Sequence, residues 1–213
     1  MIYPGVLLAD ANRSLAEGLR SLLEPEFEVV GIVDDGRELV EAAKRLQPDV
    51  IVADISMPSL NGIEAAVQLR DSDVTSQVVF LTQHREVAYA RRAIEAGAVG
   101  FVLKHSVATE LVTAIHEALR GQTYVTPMIA GELLDSYHND GSGEGNAMHQ
   151  LTPRQREVLQ LVAEGHSAKQ IAELLEISTR TAEAHRANIL KALGLQSTAQ
   201  LIQYAIRNGI ISV

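Results

Sequence analysis

The chain has 213 residues, enough for two modest domains, and 46% of them are hydrophobic, as in an ordinary globular protein. No apolar run reaches about 18 residues, so we expect no membrane-spanning helix, and the first residues lack the basic and apolar regions of a signal peptide. The chain has no cysteine, which fits a reducing cytoplasm.

The net charge of -9 is unevenly distributed along the chain. Residues 1–124 hold 11 basic and 18 acidic side chains, and residues 125–148 hold 4 acidic ones and no base. Residues 149–213 hold 7 basic and 5 acidic side chains, a net charge of +2. Only this last segment can approach a polyanion such as nucleic acid without net repulsion.

Apolar strands alternate with amphipathic helical segments over the first 120 residues. We predict strands near residues 5–9, 28–33, 49–54, 77–82 and 99–103. Helical periodicity predicts helices near residues 13–23, 37–46, 62–71, 86–96 and 107–120. Five such βα units indicate an α/β domain with a doubly wound, five-stranded parallel sheet.

The sequence predicts a linker at residues 123–148. Thr126 and Pro127 mark the start of a short helix that runs to about Tyr137. The run at residues 138–146 has no apolar residue and three glycines, which predicts a flexible tether.

The C-terminal part predicts four helices. Thr152 with Gln155 and Ser167 with Gln170 form capping boxes, and Ser178 begins the third helix. Two short helices joined by a tight turn are typical of a helix-turn-helix. The predicted domain organisation is therefore a first domain at residues 1–122, a linker at residues 123–148 and an all-α domain at residues 149–213.

Four polar side chains directly follow predicted strands of the first domain, namely Asp10, Asp54, Thr82 and Lys104. Because the carboxyl ends of parallel strands meet at one edge of a sheet, we expect them to form a small site. Asp54 is the expected nucleophile for a phosphoryl group, and Asp10 is expected to help hold Mg²⁺. Thr82 is expected to donate a hydrogen bond to a phosphoryl oxygen, and Lys104 to offset its charge.

These residues and their spacing resemble the receiver domain of response regulators. The matching motifs are Leu8-Ala9-Asp10, Asp54-Ile55-Ser56-Met57-Pro58, Asn61-Gly62, Leu81-Thr82 and Gly100-Phe101-Val102-Leu103-Lys104. The resemblance covers about residues 4–120 and implies a flavodoxin-like fold and phosphorylation of Asp54 by a sensor histidine kinase. It also implies that Phe101 is the aromatic residue that repacks when Thr82 moves, although a plain core residue is the alternative.

The sequence departs from this family at one metal position. Members usually carry two adjacent acids after the first strand, and the second is commonly a direct metal ligand. Here that position is Ala11, followed by Asn12. With Asp10, Asp54 and the backbone carbonyl of Ser56 as ligands, we expect weak Mg²⁺ binding. Slow phosphorylation or activity without phosphate would follow.

The third predicted helix of the C-terminal domain, residues 179–193, has two distinct faces. At roughly 100° per residue, an apolar inner face lies opposite an outer face of basic and small side chains. The inner face consists of Ala182, His185, Ile189 and Leu193. The outer face consists of Arg180, Ala184, Ala187 and Lys191, with Glu183 beside it and Arg186 and Asn188 on the flanks. A helix that enters the major groove needs this arrangement, and an amphipathic helix of a simple bundle shows it too.

Three stretches of this domain resemble the LuxR-type helix-turn-helix, namely Leu151–Leu159 (LTPRQREVL), Gly165–Ala172 (GHSAKQIA) and Ile177–Ile189 (ISTRTAEAHRANI). Leu193-Gly194-Leu195 continues the match. A receiver followed by this domain is the NarL/FixJ architecture. The resemblance implies contacts with double-stranded DNA by Lys169, Thr181, Arg186, Asn188 and Lys191.

Affinity for DNA is expected to be modest. Glu183 stands where the family often has lysine, so it would either accept from a cytosine amino group or repel phosphate. With a net charge of +2 a single domain should bind weakly, and a homodimer on paired half-sites would add affinity. In the family the last helix pairs two such domains. The candidates for this contact are Ala199, Ile202 and Ile206, for which a place in the domain's own core is the alternative.

We therefore expect a cytoplasmic, DNA-binding transcription regulator of a two-component phosphorelay, and not an enzyme. An alternative is an atypical receiver that works without phosphorylation, through a ligand or partner, as Ala11 suggests. A hydrolase passing through an aspartyl phosphate would usually need an acid where this chain has Ser56. His84, two residues after Thr82, is expected to be a solvated loop residue, with an influence on dephosphorylation as the alternative.

Overall fold

The structure is a computed structural model that describes residues 3–138, 150–208 and 210–211. The chain forms two compact units, Met1–Asp140 and Gly141–Val213. The tether predicted at residues 138–146 lies outside the described residues except for its first residue. Within the described segments, no helix is long and apolar enough to span a bilayer.

The first unit is a parallel sheet with helices on both faces. The strands are β1 (Gly5–Ala9), β2 (Glu28–Val33), β3 (Val50–Ala53), β4 (Gln77–Thr82), β5 (Gly100–Leu103) and β6 (Tyr124–Val125). They lie in the order β2-β1-β3-β4-β5-β6, and every neighbouring pair is parallel. The doubly wound parallel sheet predicted from the sequence is confirmed.

Helices cover the two faces of this sheet. They are α1 (Arg13–Leu23), α2 (Gly36–Leu46), α3 (Gly62–Arg70), α4 (Val87–Glu95), a 3₁₀ turn (Lys104–Ser106), α5 (Val107–Leu119) and α6 (Pro127–His138). Strand side chains alternate between the faces, so Leu7 lies in the core with α2, α3 and α4 while Leu8 lies in the core with α1 and α5. The strands read as continuous apolar runs because both faces are buried.

The sheet has six strands rather than the five that the sequence predicted. Residues 124–125 pair with Gly100 and Phe101 at the edge of the sheet. A two-residue strand has no periodicity of its own and forms only because β5 offers a free edge. The following helix, α6, packs Ile129 and Leu133 into the core of the first unit. This unit therefore extends beyond residue 122, where the sequence placed its end.

The second unit contains four helices in its described residues: α7 (Pro153–Ala163), α8 (Ala168–Leu174), α9 (Thr179–Ala192) and α10 (Thr198–Arg207). Capping boxes at Thr152 and Ser167 begin α7 and α8, as predicted. Ser178 begins α9 by accepting a hydrogen bond from the backbone N–H of Thr181. These caps satisfy backbone donors that a helix start leaves unpaired. The helices share one apolar core that includes Val158, Leu159, Ile171, Ala182, Ile189 and Leu201.

Candidate functional site

The sheet brings the four predicted phosphoryl-site residues to its carboxyl edge. Ala9 pairs with Ala53 across β1 and β3, and each is followed directly by an aspartate, Asp10 and Asp54. Thr82 pairs with Leu103 across β4 and β5, and Lys104 comes next. The register of the sheet therefore sets the distances between these polar groups.

Lys104 contacts both carboxylates. Its Nζ lies 2.6 Å from Asp10 Oδ2 and 2.7 Å from Asp54 Oδ2. Asp10 is 3% exposed, Asp54 is 8% exposed and the Thr82 side chain is fully enclosed. Two acids and one ammonium share a small, nearly dry volume, where electrostatic interactions are less screened than in water.

Burial perturbs the titration of this cluster. Loss of hydration raises the pKa of Asp54, and the neighbouring Lys104 opposes this rise only in part. Burial alone would lower the pKa of Lys104, but the carboxylates of Asp54 and Asp10 outweigh it and raise the pKa. Lys104 therefore stays protonated beside Asp54.

One oxygen of Asp54 is left open. Asp54 Oδ2 binds Lys104, whereas Asp54 Oδ1 is buried and has no hydrogen-bond partner among the described residues. A buried acceptor without a donor is costly, and a catalytic role or a bound ion is one physical reason to keep such an atom. A backbone hydrogen bond from Ser56 to the Asp54 carboxyl offsets a further part of the rise in pKa, and Oδ1 has no side-chain donor among the described residues.

The atoms beside Asp54 offer few free ligands for a metal ion. Asp10 Oδ1 accepts from the backbone N–H of Asn12 at 2.8 Å, while Oδ2 faces Lys104. The Asn12 amide oxygen accepts from the backbone N–H of Leu15 at 3.1 Å and so caps α1. It therefore does not replace the acid missing at Ala11. Among the described residues, no three acidic, histidine or cysteine side chains form a metal-binding group.

The loop after β3 is held tightly against Asp54. A Cβ on Gly62 would lie 2.2 Å from the backbone carbonyl oxygen of Asp54, so no larger residue fits. The Gly62 N–H donates to the carbonyl of Ile55 at 2.9 Å. Asn61 caps α3 by accepting from the backbone N–H of Glu64 at 3.0 Å. Together these contacts position the backbone that carries Asp54.

His84 borders the site and is not the solvated loop residue that the sequence suggested. Its Nε2 lies 2.8 Å from Ser56 Oγ, and its ring stacks on Tyr89 at a centroid distance of 4.0 Å. The His84 backbone N–H also donates to Thr82 Oγ1 at 3.2 Å. Burial lowers the pKa of His84, against a weaker opposing effect of Glu86. Tyr89 is not among the predicted site residues, because nothing in the local pattern distinguishes it from an ordinary core residue of α4.

Phe101 is fully buried in the core between the sheet and its helices. The same apolar cluster contains Phe80, Tyr89, Ile129 and Leu133. This core position agrees with the plain interpretation of Phe101. Its repacking when Thr82 moves stays a prediction.

In the second unit, α9 has the two faces that its sequence predicted. Ala182 and Ile189 are buried in the core, and His185 and Leu193 are partly buried. The predicted outer residues are all exposed: Arg180, Thr181, Glu183, Ala184, Arg186, Ala187, Asn188 and Lys191. Lys169, in the first turn of α8, is exposed as well. A helix with an open face of bases, amides and small side chains suits the major groove.

The candidates for pairing on α10 lie outside the core of the second unit. Leu201 and Ala205 are fully buried, whereas Ala199 is exposed and Ile202 partly so. Ile206 is 40% exposed. The alternative that these three side chains build the core of their own unit is therefore wrong for Ala199 and Ile206.

Fold and site together define a response regulator, a DNA-binding transcription regulator of a two-component system. The model of the family described as "Response regulator receiver domain" matches residues 6–116. The model described as "Bacterial regulatory proteins, luxR family" matches residues 149–205. The chain therefore belongs to the NarL/FixJ family of response regulators, in which a receiver precedes a LuxR-type helix-turn-helix.

Curated relatives match this chain over nearly its whole length. The chain is 36% identical to the transcriptional regulatory protein MctR of Rhizobium johnstonii over 97% of this chain and 95% of the relative. It is 37% identical to the transcriptional regulatory protein LiaR of Bacillus subtilis over 97% and 99%. The crystal structure of the response regulator ChrA, from a heme-sensing two-component system, is 29% identical. The match covers 99% of this chain and 100% of the ChrA chain, with a TM-score of 0.54.

Proposed function

We propose that Asp54 of this regulator is the residue that receives a phosphoryl group, and that a sensor histidine kinase donates it. The observation that carries this proposal is the buried, unpartnered Oδ1 of Asp54 beside Lys104. That oxygen attacks phosphorus, the bond from phosphorus to the donor nitrogen breaks, and an acyl phosphate forms.

The residues around Asp54 have separate tasks in this step. Lys104 offsets the negative charge of the phosphoryl group, and the Thr82 hydroxyl donates to one of its oxygens. Asp10, Asp54 and the backbone carbonyl of Ser56 would hold Mg²⁺, which would supply positive charge beside the phosphoryl group. Because a carboxylate is absent at Ala11, we expect this Mg²⁺ site to be weak.

The second unit binds double-stranded DNA through α9. In this proposal α9 lies in the major groove and the exposed side chains of Lys169, Thr181, Arg186, Asn188 and Lys191 contact the duplex. Arg180, Glu183, Ala184 and Ala187 complete the surface that faces the bases. Two copies pair through α10 and bind two half-sites, which multiplies the modest affinity of one unit. The protein is expected to act in the cytoplasm, where its DNA lies.

A second candidate is a receiver that regulates without phosphate. Two observations favour it: the missing acid at Ala11, and the contact of Lys104 with both Asp10 and Asp54. The ammonium already neutralises part of the charge that a cation would otherwise balance. A ligand or protein partner would then replace phosphorylation as the signal.

One experiment separates the two candidates. The protein and its Asp54→Asn variant are incubated with acetyl phosphate and Mg²⁺ and weighed by intact-mass spectrometry, and DNA upstream of the protein's own gene is footprinted with and without the phosphodonor. Phosphorylation control predicts one added phosphoryl group on the unmodified protein, none on the variant, and a stronger footprint with donor. If the footprint of Asp54→Asn is as strong as that of the phosphorylated protein, phosphate is not the signal.

A further inference from the structure

Thr126 lies between the last strand of the first unit and α6, and it is 2% exposed. Its backbone N–H donates to the carbonyl of Phe101 at 2.9 Å. Its Oγ1 accepts from the backbone N–H of Leu103 at 3.2 Å and donates to Glu110 Oε2 at 2.6 Å. One small side chain thus joins β5, α5 and the start of α6.

The strand residue that Thr126 holds belongs to the phosphoryl site. Leu103 is the cross-strand partner of Thr82, and the next residue is Lys104. The Lys104 ammonium reaches Asp10 and Asp54 at 2.6 and 2.7 Å. A shift of the Leu103 backbone by a few tenths of an ångström would change these short contacts, because the Lys104 side chain starts one residue further on.

On its other side, Thr126 begins the helix that leads toward the tether. Its carbonyl accepts from Ile129 N in the first turn of α6 at 2.9 Å. Ile129 and Leu133 pack into the core that contains Phe101. Near the end of α6, the Arg91 guanidinium lies 5.5 Å from the centre of the Tyr137 ring. These contacts dock α6 on the first unit, from its buried first turn to the exposed Tyr137 near its end.

We propose that Thr126 is a positioning residue that couples the docking of α6 to the ion pair between Lys104 and Asp54. When α6 is docked, the Thr126 hydroxyl fixes the end of β5 and Lys104 stays on the carboxylates. When Lys104 moves, the Leu103 N–H moves with it and the start of α6 loosens. Such coupling is reciprocal. Its regulatory consequence rests on the proposed role of Asp54, but the coupling itself does not require phosphate.

The test uses the full chain and two readouts that do not depend on phosphorylation. Thr126→Val removes the hydroxyl and keeps the shape, and Thr126→Ser keeps the hydroxyl. Thr123→Val is the matched control, because Thr123 is exposed three residues away. Hydrogen exchange reports the opening of α6, and the rate of reductive methylation, followed by peptide mass spectrometry, reports the accessibility of Lys104. The exposed Lys44 serves as an internal reference.

Loss of both hydrogen bonds of the Thr126 hydroxyl should speed both readouts by about tenfold or more in Thr126→Val. Thr126→Ser and Thr123→Val should stay near the unmodified protein. If Thr126→Val does not fold, Glu110→Gln replaces the carboxylate that accepts from the Thr126 hydroxyl. This variant should also speed both readouts. Equal acceleration at Lys44 and Lys104, or faster exchange in α6 with an unchanged Lys104, would overturn the proposal.

A double-mutant cycle shows whether the coupling passes through Thr126. Leu133→Ala loosens α6 at a point distant from the hydroxyl and should raise the methylation rate of Lys104 in the unmodified background. In the Thr126→Val background the same substitution should add little. Equal effects in both backgrounds would contradict the proposal. Failure of acetyl phosphate to modify Asp54 would instead contradict the proposed function, and it leaves this cycle informative.

Discussion

At the scale of single residues, Ala11 is the position where one substitution should change the site most. It is exposed and directly follows Asp10, so aspartate fits there without disturbing the core. Ala11→Asp adds a carboxylate beside the two that are present and should raise the affinity for Mg²⁺ by about tenfold or more. Calorimetric titration with MgCl₂ measures this. Ala108→Asp adds the same charge at an exposed position on α5 and should have no such effect. Equal gains in both variants would show that net charge matters and the missing ligand does not.

His84 should make the stability of the receiver depend on pH. Burial holds its pKa below the ordinary 6.5, so the unfolded chain takes up this proton first as the pH falls. The stabilisation from neutral His84 is present above about pH 6.5 and is lost as the pH falls through the folded-state pKa. His84→Gln keeps a polar partner for Ser56 and should lose less stability between about pH 7.5 and about pH 5. Urea unfolding at the two pH values measures the difference, and His105→Gln, at an exposed histidine, should behave like the unmodified protein.

At the scale of secondary-structure elements, the start of α3 depends on one glycine. A methyl group on Gly62 would meet the carbonyl oxygen of Asp54 at 2.2 Å, and backbone atoms cannot move away cheaply. Gly62→Ala should therefore cost about 1–3 kcal/mol of unfolding free energy and displace Asp54. Gly18→Ala lies inside α1, where an added Cβ would meet no atom beyond the local helix backbone within 4 Å, and it should gain about 0.5–1 kcal/mol. Chemical denaturation of both variants checks the contrast, and similar values for the two would refute the close packing at Asp54.

Some elements of the fold could be predicted from the sequence and others could not. The bounds predicted near residues 5–9, 28–33 and 77–82 are those observed, because continuous apolar runs between turn signals are local features. The position of the four candidate site residues at one edge of the sheet could be predicted, since each directly follows such a run. β6 and the docking of α6 could not, because a two-residue strand and the burial of Ile129 and Leu133 depend on the free edge of β5. The same holds for the Thr126 hydroxyl, whose partners lie 16 and 23 residues away.

Across the whole molecule, net charge differs between the receiver and the DNA-binding segment. Residues 1–124 carry more acids than bases and are repelled by DNA, whereas residues 149–213 carry a net charge of +2. We therefore expect the affinity for DNA to come from the second unit. With so few positive charges, each basic side chain on α9 is a large fraction of the electrostatic attraction. Pairing of two copies is then the simplest way to obtain specific binding at physiological salt.

Arg186 offers the sharpest test of how this molecule binds DNA. Its exposed side chain lies on the flank of α9 and not at the centre of the outer face, so we expect it to contact phosphate. Arg186→Ala should weaken binding to operator and scrambled duplexes alike and lower the salt dependence by about one unit of slope. Arg186→Lys keeps the charge and should stay near the unmodified protein. Fluorescence anisotropy across a salt series measures both variants. Should Arg186→Lys instead lose discrimination at a single base pair, Arg186 binds a guanine edge through its two-pronged guanidinium, and α9 lies deeper in the groove than proposed.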